Sequence, residues 1–247
     1  MESMTAQGRA RTQSDSNVSA GSQTLDRGLR ALEILADDGR PLSIARLAEL
    51  LGVHRSSAYR ILRTLEEHRF VVRDDAGLIR LGPRLAALGR GAASSLQQAA
   101  LPELGTLANS LGFTAFVTVL DDDEIITLLS IEPTHGHATV AQRPGAKHSI
   151  SRGAPGHAIE ASLTSAEHRA VFDGAPPSPA AAQAREQGYA ISQDEVIPGL
   201  TSIAVPLRVA TEPPAALAVV CIGLPDDLEG LTRGLREAAL RIERSAH

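Results

Sequence analysis

The sequence is poor in the residues and segments that mark secreted and membrane proteins. It holds one cysteine, Cys221, so no disulfide can form within the chain, which is typical of proteins from a reducing compartment. The longest apolar runs, such as residues 215–222, are too short to span a bilayer. The N-terminus has no compact apolar segment behind a basic start. We therefore expect a cytoplasmic protein with no membrane partner and no secretory signal.

Motifs for catalysis and metal binding are also scarce. Ser, His and Asp residues are plentiful, but no Gly-x-Ser-x-Gly elbow accompanies them, so a hydrolase is not favoured. The acidic run 121–123 is most simply a solvated turn rather than a carboxylate pair for acid–base catalysis. His135 and His137, with Glu132 nearby, are a candidate metal site, but no further ligand pair accompanies their short spacing. We predict no catalytic residue, no metal and no cofactor.

Positive charge is concentrated at the front of the chain, although the net charge is −5. Residues 1–90 carry 14 Arg against 11 acidic residues, a net charge of +3. Residues 91–247 carry nine Arg and one Lys against 18 acidic residues, a net charge of −8. Because the distribution of charge matters more than its sum, the acidic total does not exclude DNA binding.

Composition and periodicity divide the chain into an arm, two domains and a connecting helix. Residues 1–22 are rich in Ser, Gln, Ala and Arg and have no apolar period, which predicts a disordered arm. Apolar residues then recur at helical spacing, and a first domain is predicted over 23–83. The helical pattern resumes as one sparse apolar seam, which predicts a linker helix over 84–100 and a candidate dimer surface. The second domain is predicted over 101–247.

The first domain reads as a helix-turn-helix followed by a wing. Ser43 stands where a helix N-cap belongs, and Gly52 allows the tight turn after that helix. The second helix is predicted from about residue 55 to 68, with inward-facing apolar residues. A strand, a turn and a return strand follow over 70–81. This order is the one that places a helix in the DNA major groove.

The outward face of the second helix carries the residue types that a groove-reading helix needs. Small polar groups on its first turn permit close approach, and the arginines that follow can bind phosphates or guanine edges. The residues predicted to contact operator DNA are Ser43, His54, Arg55, Ser56, Ser57, Tyr59, Arg60, Arg63 and Arg73. The alternative is a helical core whose basic residues only form a solvated face, or a winged helix that binds protein.

The second domain alternates predicted strands with predicted helices. Apolar or alternating runs predict strands at 113–120, 124–131, 139–143, 189–193, 202–209 and 215–223. Helical patterns cover about 154–163, 165–171, 179–187 and 226–244. This alternation predicts an α+β domain in which helices pack on an antiparallel sheet.

Two long stretches resemble one protein family. Residues 24–90, which begin TLDRGLRALEILADDG, resemble the N-terminal domain of the IclR family of bacterial transcription regulators. The sequence GYAISQDEVIPGLTSIAVPL at 188–207 is similar to the effector-domain signature of that family, and residues 145–161 occupy the place of its effector loop. The resemblance implies a winged helix-turn-helix domain joined to a GAF-like effector-binding domain. It also implies a homodimer or dimer of dimers, and a small-molecule signal that is often an organic or aromatic acid.

The resemblance also assigns ligand contacts by position. These residues are His148, Gly153, Ala154, Pro155, Leu200, Ser202 and Cys221. The stretch SISRGAPGHA at 149–158 departs from the usual loop pattern of the family, which leaves the ligand class open. Cys221 also fits a core position, because it lies within an apolar strand.

Elementary electrostatics favour an acidic ligand for this site. The backbone amides of 153–156 open a helix, and the positive end of a helix attracts a carboxylate. Lys147, His148 and Arg152 add positive charge in an otherwise acidic half of the chain. The alternative is a solvent-exposed polar loop that binds nothing.

Together these patterns predict a homodimeric transcription regulator whose binding to double-stranded DNA is controlled by a small-molecule effector. Two alternatives stay open. One is a winged-helix regulator without a ligand that responds to protein partners, and the other is an enzyme that acts on a small acid.

Overall fold

The computed structural model describes three stretches of the chain, residues 22–91, 94–135 and 140–246. Contacts divide the chain into two compact units, the first ending at Ala86 and the second beginning at Ala87. The predicted disordered arm, 1–22, lies outside the described residues except for Ser22, whose hydroxyl caps the first helix. Among the described residues, no helix has both the length and the apolar character needed to cross a membrane.

The first unit is a three-helix domain with a hairpin, as the sequence predicts. Its elements are α1 (Gln23–Asp38), α2 (Ile44–Leu50), α3 (Arg55–Glu67), β1 (Val71–Arg73) and β2 (Ile79–Leu81). The two strands pair antiparallel, and one cluster of buried apolar side chains joins them to the three helices. The prediction of a helix-turn-helix with a wing is confirmed.

Local interactions explain why the chain turns where it does in this unit. The Oγ of Ser43 accepts the N–H of Arg46 at 3.2 Å and so caps α2. Gly52 has φ +64, a left-handed conformation that glycine adopts without strain, between α2 and α3. Leu42 and Ile79 exchange both backbone hydrogen bonds, at 2.9 and 2.7 Å. This bridge fixes the wing against the segment that enters α2.

The wing is followed by two helices, whereas the sequence predicts one continuous linker helix. They are α4 (Pro83–Gly91) and α5 (Ser95–Leu111). Ser94 and Gln97 form a reciprocal capping box, which starts a new helix after the first has ended. The predicted linker helix over 84–100 therefore contains the end of one helix and the first turns of the next. Leu96 is fully buried in the core of the second unit, so this part of the predicted linker is core.

The second unit contains a six-stranded antiparallel sheet with helices on both faces. Its further elements are β3 (Thr114–Asp121), β4 (Glu124–Ile131), β5 (Lys147–Ser149), α6 (Gly153–Ser162), α7 (Ser165–Phe172), α8 (Pro179–Gln187), β6 (Ala190–Gln193), β7 (Leu200–Leu207), β8 (Ala215–Ile222) and α9 (Leu228–Ser245). The strand order is β5-β4-β3-β8-β7-β6, and every neighbouring pair is antiparallel. The predicted α+β architecture is confirmed.

The edge strand beside β4 differs from the predicted one. Residues 140–143 have no strand structure, and residue 139 lies outside the described residues. The Gln142 side chain instead donates to the Thr127 hydroxyl at 2.8 Å, so it is tied to β4 without joining a ladder. The strand that does pair with β4 is β5, whose three residues are too few to show an alternating pattern.

The two faces of the sheet carry different helices. Helices α5 and α9 pack with large aliphatic side chains such as Val117 and Leu217. On the other face, α6 lies against small residues, including Ala204 and Ala218. Every residue of α6 from 153 to 161 is buried, because the alanine surface lets this helix approach the sheet closely. The N-terminal end of α6 is thereby held among strands β6 to β8.

Candidate functional site

The exposed face of α3 carries the basic and polar residues that the sequence assigns to DNA. Arg55, Ser56, Tyr59, Arg60 and Arg63 are all exposed. The opposite face is buried in the core of the first unit and consists of Ala58, Ile61 and Leu62. Helical spacing places Arg55, Tyr59 and Arg63 in one row and Ser56 with Arg60 in the next. The face is therefore polar and exposed, as a helix that enters a groove must be.

The arginines on this face differ in how far their charge is compensated. The Nε of Arg63 lies 3.1 Å from Glu67 Oε1, one helical turn further along. Within the described part of the chain, neither Arg55 nor Arg60 has an ion-pair partner. These two side chains carry the uncompensated positive charge that a phosphate or a guanine edge attracts.

Arg73 of the wing is occupied by an interaction within the domain. Its Nε and Nη2 donate to the two carboxylate oxygens of Glu66 at 3.1 and 3.3 Å. This hydrogen-bonded pair raises the pKa of Arg73. The guanidinium carbon also lies 6.0 Å from the centroid of the Tyr59 ring. Arg73 thus connects the wing to Glu66 and Tyr59 of α3, and its predicted DNA contact would be made by an already paired cation.

The remaining predicted DNA residues surround the start of α2 and α3. Ser43 uses its oxygen to cap α2, which leaves its hydroxyl hydrogen for a phosphate. His54 is the N-cap of α3 but makes no side-chain bond to the helix amides. Ser57 is half-buried on the first turn of α3. Unsatisfied amides at the first turn of a helix are suited to holding a phosphate.

A cleft in the second unit brings together most of the predicted effector contacts. It encloses about 50 Å³ and lies between the start of α6, strands β6 to β8 and the turn 194–199. Its lining residues are Phe116, Gln142, His148, Gly153, Pro155, Ser192, Glu195, Val196, Ile197, Leu200, Ser202 and Val220. Five of the seven residues assigned by the family resemblance belong to this set, namely His148, Gly153, Pro155, Leu200 and Ser202. An apolar cleft with a few polar groups is typical of small-molecule sites.

Two of the assigned residues, Ala154 and Cys221, do not line the cleft. Ala154 is fully buried in the first turn of α6, and its N–H donates to the Ser192 Oγ at 2.8 Å. Cys221 faces the α5 and α9 side of the sheet, the opposite side from its neighbour Val220. Burial raises the pKa of the Cys221 thiol. The expectation that Cys221 contacts the ligand does not fit this placement, because successive residues of a strand point to opposite faces.

Glu195 occupies the helix end that the sequence analysis assigns to a ligand carboxylate. Its Oε2 accepts the N–H of Gly153 at 2.7 Å and lies 2.9 Å from His157 Nε2. The guanidinium of Arg152 donates to the backbone carbonyl of Glu195. The chain therefore supplies its own anion at the positive end of α6.

The expected cluster of positive charge beside the cleft is largely engaged by groups of the chain itself. Lys147 pairs with Glu124 at 3.4 Å. The pKa of His148 is lowered, chiefly by burial and in smaller part by the nearby Arg152, which disfavours a positive charge on this imidazole. Arg152 is directed to the Glu195 carbonyl. The cleft is consequently a polar and apolar site rather than a strongly cationic one.

Two glycines hold the start of α6 against its surroundings. A Cβ on Gly156 would lie 2.1 Å from the carbonyl oxygen of Ile150. A Cβ on Gly153, whose φ is +79, would lie 2.9 Å from Val196 Cγ2. The start of α6 is therefore in direct contact with the turn 194–199 at Gly153 and with the backbone of Ile150 at Gly156, and a side chain at either position would disturb the corresponding contact.

Sequence reasoning missed Glu195, His157 and Ser192. Glu195 and Ser192 lie within the stretch 188–207 that resembles the family signature, but no local spacing places them against α6. His137, half of the candidate metal pair, lies outside the described residues. Among the residues that the structure describes, no group of three or more His, Cys, Asp or Glu side chains is placed to hold a metal ion.

Comparison with known families gives a match to each unit. A model described as the IclR helix-turn-helix domain matches residues 24–75. A second, described as the bacterial transcriptional regulator IclR C-terminal domain, matches residues 92–244.

Curated relatives are similar over different shares of their length. The DNA-binding transcriptional repressor YiaJ of Escherichia coli is 37% identical over 120 residues, which cover 47% of this chain. The matched part spans 43% of that relative, so this chain covers less than half of its length. The glycerol operon regulatory protein of Streptomyces coelicolor is 29% identical over 243 residues, which cover 90% of both chains.

Solved structures show the same fold. A regulator from Alicyclobacillus acidocaldarius superposes with a TM-score of 0.81 at 27% identity, over 92% of this chain and 100% of that chain. A homologue from Microbacterium hydrocarbonoxydans, crystallised with 4-hydroxybenzoate, gives a TM-score of 0.78 at 23% identity, over 91% of this chain and 99% of that chain. At that identity the likeness shows the fold alone.

Proposed function

Because the chain belongs to the IclR family of bacterial transcriptional regulators, we propose that it binds operator DNA and is controlled by a small organic effector. The observation that supports DNA binding is the exposed face of α3, where Arg55 and Arg60 have no ion-pair partner among the described residues. The cleft at the start of α6 supports control by a small organic effector. We also propose a cytoplasmic location, because that is where a bacterial protein meets operator DNA.

The proposed DNA contacts follow from how each residue is held. Arg55 and Arg60 reach base edges or phosphates, and Ser56 lies on the same exposed face. Arg63 and Arg73 contribute less to affinity, because their charges are shared with Glu67 and Glu66. The protein binds as a homodimer to a near-palindromic operator, with half-sites about one helical turn apart or a multiple of it. Ser43, His54, Ser57 and Tyr59 position the helix on the backbone.

The proposed effector is a small organic acid bound among His148, Gly153, Pro155, Leu200 and Ser202. Two relatives support an organic effector. The Streptomyces protein is named for a glycerol operon, and the Microbacterium homologue was crystallised with 4-hydroxybenzoate. Binding would favour one of two states of the homodimer, which differ in operator affinity.

Selection of genomic fragments by the purified protein tests the operator half of this proposal. We expect a specific duplex to be enriched, with affinity that falls steeply as salt concentration rises. Binding of that duplex no tighter than random sequence would refute it. A thermal-shift screen of small carboxylates tests the effector half, since a ligand that binds only the folded state raises Tm. If the same compound also weakens or strengthens binding of the protein to that duplex, effector binding and operator binding are coupled.

A further inference from the structure

The arrangement around Glu195 points to more than a structural hydrogen bond. We propose that Glu195 is a tethered carboxylate, which fills the anion-binding end of the cleft until the carboxylate of an acidic ligand displaces it. This inference rests on the proposed effector function and names how the pocket recognises its ligand. It makes Glu195 the residue that sets the affinity and charge preference of the site.

The receptor for the carboxylate is built from buried groups. The side chain of His157 is 6% exposed, and its Nε2 is directed at Glu195 Oε2. Its other ring nitrogen, Nδ1, is buried and has no hydrogen-bond partner among the described residues. The N–H of Gly153 meets the same carboxylate oxygen. Removal of the anion would leave a buried donor and a helix amide unsatisfied, which is energetically unfavourable.

Glu195 itself is free to leave without burying its charge. Its side chain is 37% exposed, in contrast to His157, so the displaced carboxylate would enter water. A ligand carboxylate that takes its place restores the same hydrogen bonds and the same charge. The exchange is therefore nearly neutral in electrostatic energy at the site, and the other contacts of the ligand decide the outcome.

The turn that carries Glu195 is a short connection between β6 and β7, closed by hydrogen bonds from the Asp194 N–H to the Leu200 carbonyl and from the Gly199 N–H to Asp194 Oδ1. Asp194 has φ +58, a left-handed conformation that Asp tolerates better than most residues. Val196 and Ile197, at 40% and 46% exposure, are large apolar side chains left at the mouth of the cleft. A second position of the turn could bury them over a ligand.

The small size of the cleft agrees with such a movement. It encloses about 50 Å³, whereas pockets for small organic ligands enclose about 300–1,000 Å³. Glu195, Val196 and Ile197 all belong to the lining, so displacement of one turn enlarges the cleft on the side where the carboxylate binds. Ligand entry and departure of Glu195 are thus the same event.

Chemical complementation tests the inference without knowledge of the natural effector. Glu195→Ala removes the tethered carboxylate, and acetate is the probe that replaces it. We expect acetate to raise the Tm of Glu195→Ala by about 3 °C at roughly ten times its Kd. Acetamide, which has the same shape but no charge, should give no saturable rise. The wild-type protein should bind acetate at least tenfold more weakly, because Glu195 competes for the site.

Glu237→Ala is the matched control, since Glu237 is exposed on α9, which packs on the opposite face of the sheet. Equal shifts with acetate and acetamide, or equal acetate shifts in the wild type, Glu195→Ala and Glu237→Ala, would overturn the inference.

If Glu195→Ala does not fold, Glu195→Gln serves in its place, because it keeps the size of the side chain and removes the charge. Acetate should then bind Glu195→Gln more tightly than the wild type, and an equal Kd would overturn the inference. Operator binding of the wild-type protein is measured in parallel. A wild type that releases its operator with an uncharged compound, while Glu195→Ala shows no preference for acetate, refutes the tethered carboxylate and leaves the regulatory function intact.

Discussion

Arg55→Ala is the sharpest test of the proposed DNA face, because Arg55 contributes almost nothing to the folded state. The side chain is exposed and has no ion-pair partner among the described residues, so its truncation should leave stability within about 0.5 kcal/mol. Against a specific operator, removal of one base or phosphate interaction should cost about 1–3 kcal/mol, or roughly 5- to 150-fold in Kd. In a homodimer the substitution affects both half-sites.

Fluorescence anisotropy with a labelled operator measures this effect across a series of salt concentrations. If Arg55 binds a phosphate, the slope of log Kd against log salt should fall by about 0.9 for each phosphate that the variant no longer neutralises. If it reads a base, the slope should stay the same and discrimination against a mutated operator should shrink. Arg63→Ala should weaken binding less, because the charge of Arg63 is shared with Glu67 at 3.1 Å.

Arg233→Ala controls for net charge, since Arg233 is exposed on α9 in the second unit. It should bind the operator like the wild type. An unchanged Kd for Arg55→Ala at every salt concentration, with an unchanged circular dichroism spectrum, would refute the contact. Equal weakening by Arg55→Ala and Arg233→Ala would instead show that only the total charge matters.

Three further changes probe the effector unit. Ser202→Leu, at a lining position of the cleft, should abolish the effector response and leave operator binding intact, and a normal dose response would place the ligand elsewhere. Gly156→Ala should destabilise the protein by about 1–3 kcal/mol in urea denaturation, because its Cβ would meet the Ile150 carbonyl at 2.1 Å. Its control, Gly105→Ala in α5, has open space around the new Cβ and should stabilise the protein by up to about 1 kcal/mol. Glu167 accepts two hydrogen bonds from Arg208, the larger cause, and others from Thr164, which lower its pKa from 4.5 to about 2. Since the folded-state pKa lies below the unfolded one, this carboxylate stabilises the protein above pH 4.5 and progressively less as the pH falls to about 2. The stability difference between wild type and Glu167→Gln should shrink across that window, and a constant difference would contradict the assignment.

The DNA-binding face could be predicted from sequence because its determinants are local. The inward set Ala58, Ile61 and Leu62 fixes the rotation of α3, and every intervening position then points outward. The break between α4 and α5 was equally local, since Ser94 and Gln97 have the spacing of a capping box. The apolar periodicity, taken alone, predicts a single helix that continues through this break.

The side on which Cys221 lies could not be predicted from sequence. Strand β8 is buried at every position from 215 to 221, because helices cover both faces of the sheet. A strand of this kind shows a continuous apolar run instead of an alternation. The run identifies the strand but does not reveal which face any residue occupies, and only the folded structure, in which Cys221 and Val220 pack in different clusters, decides it.

The carboxylate at the start of α6 illustrates a deeper limit. A helix that begins with buried amides requires an anion or another acceptor, and this requirement is visible in the sequence. The source of the anion is not visible, because Glu195 lies 42 residues from Gly153 along the chain. It reaches the helix only through the pairing of β6 with β7 and the turn between them. The physical demand for a carboxylate is the same whether the chain or a ligand meets it. A regulator that meets this demand itself in the free state can therefore use the same groups to recognise an acid.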